Sequence, residues 1–182
     1  MAHINLQDGV PGIRSLVMYR PDTGKPLYDL AEVLLRADSP LSSAERELIA
    51  AYVSAQNECI FCSCSHAAAA RYLYQDAEQT VDLVLADYHS APISDKLKSL
   101  LSIAESLQQG GKAVRSEQIE AAKAQGATEK EIHDTVLISA LFCMCNRYVD
   151  GLGTSANPDR QIYVDRGKMR AEEGYLDFDL HR

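Results

Sequence analysis

Apolar positions along this chain recur every three or four residues, and no segment alternates apolar and polar residues as a strand would. That period is the signature of amphipathic helices, so the chain reads as all-α throughout. Leu27, Leu30, Ala31, Leu34 and Leu35 form one stripe, opened by Pro26 in the first turn and stopped by Asp38, Ser39 and Pro40. Ser42 and Glu45 have capping-box spacing and start a helix running to about Asn57. On it Leu48, Ile49, Tyr52 and Val53 make a large face. Glu47, Ala51 and Ser54 make a small face that a second helix can approach closely.

Further helices follow with short connections, which favour antiparallel neighbours in a multi-helical bundle. One spans Ile60 to Tyr74 and contains the strongly helix-forming run Ala67 to Ala70. Asp76 and Gln79 start the next, with Val81, Val84 and Leu85 as its apolar positions. Ser94 opens another, carrying Leu97, Leu100, Leu101, Ala104 and Leu107, and Gly110 and Gly111 close it. A short helix covers Ser116 to Gln125. Thr128 and Glu131 repeat the capping box ahead of a long helix to about Tyr148. Asn157 and Pro158 read as N-cap and first residue of a terminal helix ending at Gly174. Residues 1–25, broken by Pro11, Gly12, Pro21 and Gly24, read as an irregular arm with a short helical turn at Ile13 to Tyr19. Residues 26–182 then form a single all-α domain, a size that buries a full core without staples.

Charge and cysteine usage narrow the function. A formal charge of −8, with basic residues scattered among acids, speaks against sequence-independent nucleic-acid binding. No apolar run is long enough for a membrane span, and the start of the chain lacks a signal pattern. A cytoplasmic protein is expected. The cysteines, Cys59, Cys62, Cys64, Cys143 and Cys145, are odd in number and lie in two tight clusters. That is unlike a secreted disulfide framework and fits a reducing compartment, where a disulfide is transient and catalytic.

The chemistry concentrates in Asn57 to His66, where Cys59 and Cys62 are followed by His66 four residues later. With a helix starting near Ile60, Cys62 lies in the first turn, where free N–H groups and the dipole favour a thiolate. His66 lies one turn on, on the same face. Cys62 is therefore expected to be the nucleophile, with Cys59 placed to donate a proton or close a disulfide. Glu47 is a candidate to orient His66, against the plain alternative of a solvated helix glutamate. Two other readings stay open. Cys59, Cys62 and His66, with Cys64 or His89 as fourth ligand, suit a noncatalytic metal-binding module. Alternatively, the cysteines are merely small buried residues. The remaining histidines, His3, His89, His133 and His181, match no motif and read as surface residues, and Cys64, Cys143 and Cys145 as structural thiols.

The run Leu41-Ser-Ser-Ala-Glu-Arg-Glu-Leu-Ile-Ala, then Cys59-x-x-Cys62-x-x-x-His66, resembles the alkyl hydroperoxidase D-like proteins of the carboxymuconolactone decarboxylase superfamily. Their peroxidase-related branch is the most similar, and the likeness runs from about Pro21 to Gly153, including Asn146-Arg147. The resemblance implies a thiol-dependent peroxidase without cofactor or metal. Peroxide would oxidise Cys62 to a sulfenic acid, Cys59 would be proton donor and disulfide partner, and His66 and Glu47 would relay protons. Glu47 precedes Cys59 by twelve residues, as the family pattern requires. The resemblance further implies a homotrimer or homohexamer reduced by a lipoyl-bearing or thioredoxin-like protein, or by a peroxiredoxin. Phe61 stands where the best-studied pattern has a second histidine between the cysteines. The superfamily's lactone decarboxylases give a further alternative, although their acid–base chemistry does not need a cysteine pair.

Overall fold

Ser42 closes its capping box as its spacing predicts: its hydroxyl accepts from the Glu45 amide at 3.2 Å, and Glu45 accepts from the Ser42 amide at 2.8 Å. The helix so started, Ser43–Gln56, is buried on nearly every side from Arg46 to Ser54, and the rest of the chain wraps it. The computed structural model describes residues 2–75 and 78–175, and among these there are helices and turns but no strand. In chain order the helices are α1 (Ile13–Tyr19), α2 (Pro21–Arg36), α3 (Ser43–Gln56), α4 (Ile60–Tyr74), α5 (Glu78–Asp87), α6 (Asp95–Gln109), α7 (Ser116–Ala124), α8 (Glu129–Gly151) and α9 (Arg160–Glu173). The fold is all-α, and no helix among the described residues is long and apolar enough to cross a membrane.

The main core gathers the large face of α3 (Leu48, Ile49, Tyr52, Val53) against Leu97, Leu100, Leu101 and Ala104 of α6 and Ile138, Leu141 and Phe142 of α8. The α3 and α6 positions are those that the apolar period of the sequence marks. A fully buried leucine of this kind is worth about 1.5–3 kcal/mol of hydrophobic stabilisation. A smaller apolar cluster joins Leu16, Cys59, Phe61, Cys62, Ala68, Val149 and Tyr163. It forms because α9 lies directly on α4. A Cβ placed on Gly167 would come within 2.7 Å of the Ala68 backbone, so only a glycine permits this approach.

Two helix starts depart from the sequence reading. The first domain helix starts at Pro21 instead of Pro26. Pro21 fills the first helical position, where its missing N–H costs nothing, and Pro26 is carried inside the helix on an exposed face. Residues 13–25 are therefore largely helical, because Gly24 lets α2 close onto Val17 of α1. The terminal helix starts later than expected, with Asp159 as its N-cap. Asp159 accepts from the Gln161 amide at 2.9 Å, while Asn157 accepts from the Asp159 amide in a turn just before it. Asp76, expected to start α5, lies outside the described residues, as does His181.

Candidate active site

A strained turn delivers the cysteine pair. After α3 ends at Asn57, Glu58 takes a positive φ of 58°, a conformation that costs a non-glycine residue about 1–3 kcal/mol. Its amide bonds back to Ala55 O at 2.9 Å, and that of Cys59 to Ser54 O at 3.0 Å. The chain thereby reverses and packs α4 on α3. Cys59 becomes the N-cap of α4 and Cys62 its third residue. Both are buried, at 0% and 3% exposure, inside the smaller apolar cluster.

The two thiols face one another and share their acidity. The Cys62 thiol holds the Cys59 pKa below that of an ordinary cysteine; burial opposes this and the Cys62 backbone N–H adds to it. Cys62 is pushed well up, first by Cys59 and then by burial, with Asn146 acting in the opposite sense. The first negative charge therefore settles on Cys59. Position on α4 alone had favoured Cys62. The difference arises because the N-cap side chain sits nearest the free backbone N–H groups, and Cys62 itself serves as the donor. Cys145 is pushed up to about 12 by burial, which keeps it a thiol.

One turn along α4, His66 meets Glu47. Its Nδ1 lies 2.6 Å from Glu47 Oε2. The other carboxylate oxygen, Oε1, takes Arg36 Nη2 at 2.5 Å and the Tyr175 hydroxyl at 2.8 Å. Glu47 is completely buried, and the His66 side chain is 12% exposed. Burial works to raise the Glu47 pKa, but His66, Arg36 and Tyr175 together outweigh it and hold it below the usual range. Burial pushes the Tyr175 phenol well up, so it remains a donor. The His66 ring packs edge-on against Phe142, with centroids 4.3 Å apart.

Cys59 and Cys62 thus form one contact pair, and His66 and Glu47 another. Cys64 turns to a half-exposed groove between α4 and α9, lined also by Arg71, Arg160 and Tyr163. Cys143 is buried and accepts a hydrogen bond from Asn57 Nδ2 at 3.5 Å. His3, His89 and His133 are exposed, as expected. Among the described residues, no three His, Cys, Asp or Glu side chains are arranged to hold a metal ion. The metal-module reading therefore lacks its ligand geometry, and His66 has committed one ring nitrogen to Glu47. Sequence reasoning missed Arg36 and Tyr175. Arg36, a basic residue in the last turn of α2, reads naturally as a dipole partner. Tyr175 follows the last helix and carries no local signal. Asn146 was noted only through resemblance; it is buried, donates to Ser54 Oγ at 3.1 Å and accepts from Asn57 Nδ2 at 2.9 Å.

Known proteins bear on this geometry in two ways. Residues 21–87, which hold Arg36, Glu47, both motif cysteines and His66, match the carboxymuconolactone decarboxylase family. No curated protein matches the sequence. Among solved structures, the chain is similar to the alkylhydroperoxidase AhpD core of an uncharacterised peroxidase-related protein from Ralstonia eutropha JMP134. The TM-score is 0.76 and the identity 26%, over 87% of this chain and 82% of that one. An uncharacterised peroxidase-related protein from Silicibacter sp. TM1040 has the same TM-score, 0.76, at 24% identity, covering 87% and 81%. A protein of unknown function from Agrobacterium tumefaciens, for which an AhpD antioxidant-defence role has been suggested, gives 0.69 at 18%, covering 87% and 100%. The chain is thus similar to the carboxymuconolactone decarboxylase family over residues 21–87, and in fold to a solved alkylhydroperoxidase AhpD core.

Proposed function

We propose that this protein is a thiol-dependent peroxidase with an antioxidant role, in which Cys62 reduces a hydroperoxide and Cys59 resolves it. One observation carries the reading: a buried cysteine pair whose thiols face one another sits a single helical turn from a histidine held by a buried carboxylate. A decarboxylase would leave that pair without a role, and a metal module would need a ligand cluster that the His, Cys, Asp and Glu side chains of the described residues do not form.

Cys59 is the more acidic of the two thiols, and once it has lost its proton the pair holds one. Transfer of the Cys62 proton to Cys59 produces a Cys62 thiolate. Its sulfur attacks a peroxide oxygen, the O–O bond breaks, and the departing alkoxide takes the proton from Cys59. Cys62 is now a sulfenic acid and Cys59 again a thiolate. Cys59 then attacks the Cys62 sulfur, forming the S–S bond and breaking S–O. The hydroxide leaves as water with a proton supplied through His66. Peroxide gains two electrons and the dithiol loses two. Glu47 keeps the His66 ring oriented and supports its charge while it passes the proton. A lipoyl-bearing or thioredoxin-like dithiol, or a peroxiredoxin partner, would restore the thiols. A homotrimer or homohexamer is the proposed assembly, and exposed Ile60, Met144 and Val164 supply apolar surface for it.

The test is stoichiometric oxidation with an alkyl hydroperoxide, followed by peptide mapping and then turnover with added dithiols. The expected product is a Cys59–Cys62 disulfide, formed faster than by a free thiol at the same pH. Cys64 or Cys143 as the main partner of Cys62, or a rate no better than free thiol, would overturn the reading.

A further inference from the structure

The segment following α9 returns to the core and closes the buried side of the site. Gly174 makes the turn at φ 74°, and a Cβ there would come 2.6 Å from Glu32 Oε2. The Tyr175 amide then donates to that same Glu32 oxygen at 2.5 Å, and the Gly174 carbonyl accepts from Arg170 at 3.0 Å. These bonds fix Tyr175 at 8% exposure, with its hydroxyl 2.8 Å from Glu47 Oε1 and 3.4 Å from His66 Nδ1. Its ring lies nearly parallel to the His66 ring, at 16°. The Arg36 and Arg170 guanidinium groups stand 5.1 Å and 5.3 Å from the Tyr175 ring centre. Arg36 is itself held by the carbonyls of Leu35 and Arg170.

We infer that Tyr175 and Arg36 are positioning residues that lock the Glu47 carboxylate in one orientation and thereby fix which nitrogen of His66 is available for proton transfer. The inference rests on the peroxidase reading only for its consequence in rate; the lock itself is a statement about geometry. Two donors on Oε1 leave Oε2 to His66 among the described residues. A carboxylate bonded in this way cannot turn about its own axis without breaking two bonds. The His66 Nδ1–H is then the proton held by Glu47, and Nε2 is the nitrogen left to exchange protons. Arg36 also supplies a counter-charge to Glu47.

The experiment compares the full-length wild type with Tyr175→Phe, which removes one hydroxyl and keeps the ring between its two arginines. Nitrogen-15 spectra of the imidazoles are read first. The wild type is expected to show His66 with a proton on Nδ1 and a bare Nε2. Tyr175→Phe should show a mixture of the two tautomers, with a melting temperature close to wild type. Glu47→Gln should abolish the Nδ1–H preference and serves as the positive control. Identical His66 shifts in wild type and Tyr175→Phe would overturn the lock, whatever the peroxide activity. The second readout is Cys62 oxidation, expected to slow several-fold in Tyr175→Phe, with substrate saturation unchanged. A shifted tautomer with an unchanged oxidation rate would keep the lock and remove His66 from the rate-limiting proton transfer. If Tyr175→Phe does not fold, Tyr175→Trp fails as a substitute, but Arg36→Lys keeps the charge while losing the fork, and its His66 spectrum decides the same point.

Discussion

Glu47 and His66, nineteen residues apart on successive antiparallel helices, meet through a 2.6 Å contact between Oε2 and Nδ1 in the interior of the protein. Neither side chain would be stable there alone. A buried carboxylate needs donors on both oxygens, and the fold supplies them from α2, α4 and the segment after α9.

Removing that charge should therefore cost both stability and reactivity. Glu47→Gln leaves Arg36 without its counter-charge in a site where its side chain is 11% exposed. Breaking a buried pair on one side costs about 3–5 kcal/mol. Urea denaturation should show a loss near the lower figure, since Arg36 keeps its carbonyl acceptors. His66→Ala should slow Cys62 oxidation by roughly 10²-fold, the low end for a general acid–base group. A His66→Ala protein that oxidises as fast as wild type removes His66 from the mechanism.

Acid should unfold the protein through its buried glutamates. Glu47 and Glu131 both have pKa values held below the ordinary carboxyl range. For Glu131 burial opposes the shift, and Lys96 and Thr128 produce it. The unfolded chain titrates these groups near ~4.3 and so binds more protons than the folded one below that point. Stability from them is present above the unfolded value and is lost as pH falls through the folded values. Thermal melts should be flat from neutrality to about pH 5 and decline below ~4.3. Glu47→Gln should show a shallower decline, and an unchanged slope would mean that Glu47 does not contribute.

The charge on the cysteine pair gives a third test. Cys62→Ala removes the thiol that stabilises the Cys59 thiolate, so the Cys59 pKa should rise toward or above ~8.5. Cys62→Ser keeps a donor and should leave Cys59 lower. Ultraviolet thiolate absorbance against pH distinguishes the two variants. After peroxide, Cys59→Ser should stop at a Cys62 sulfenic acid trapped by dimedone, while Cys62→Ser should trap poorly. Efficient trapping on Cys59 instead would reverse the two roles.

Gly167→Ala tests the packing that covers the cysteines. The added methyl would stand 2.7–2.8 Å from the backbone and Cβ of α4 at Ala68 and Ala69, and the backbone cannot yield there as a flexible side chain would. Overpacking of this kind costs about 1–3 kcal/mol. A lowered melting temperature should accompany faster alkylation of Cys59 and Cys62, because α9 no longer seals their cluster. Unchanged alkylation would mean that another element controls access.

The sequence by itself determined the helices and the cysteine–histidine spacing. Both are local: a 3.6-residue period places Leu97, Leu100 and Leu101 on one face, and capping boxes at Ser42 and Thr128 satisfy amides three residues away. Cys62 and His66 follow from the same period. Glu47 was reached by spacing and resemblance, and its alternative as a solvated helix glutamate ended only with its complete burial. Boundaries set by non-local contact were not legible. With Gly24 packed against Val17, residues 21–25 of the expected irregular arm are helix, and Asp159 displaced Asn157 as a cap. Tertiary structure alone decided that Arg36 and Tyr175 share one oxygen of Glu47 across 11 and 128 residues of chain. It also made Cys59 the more acidic thiol of the pair. Helical position favours the thiolate that the dipole reaches, whereas the folded protein favours the sulfur that has a donor, and that donor is Cys62 itself.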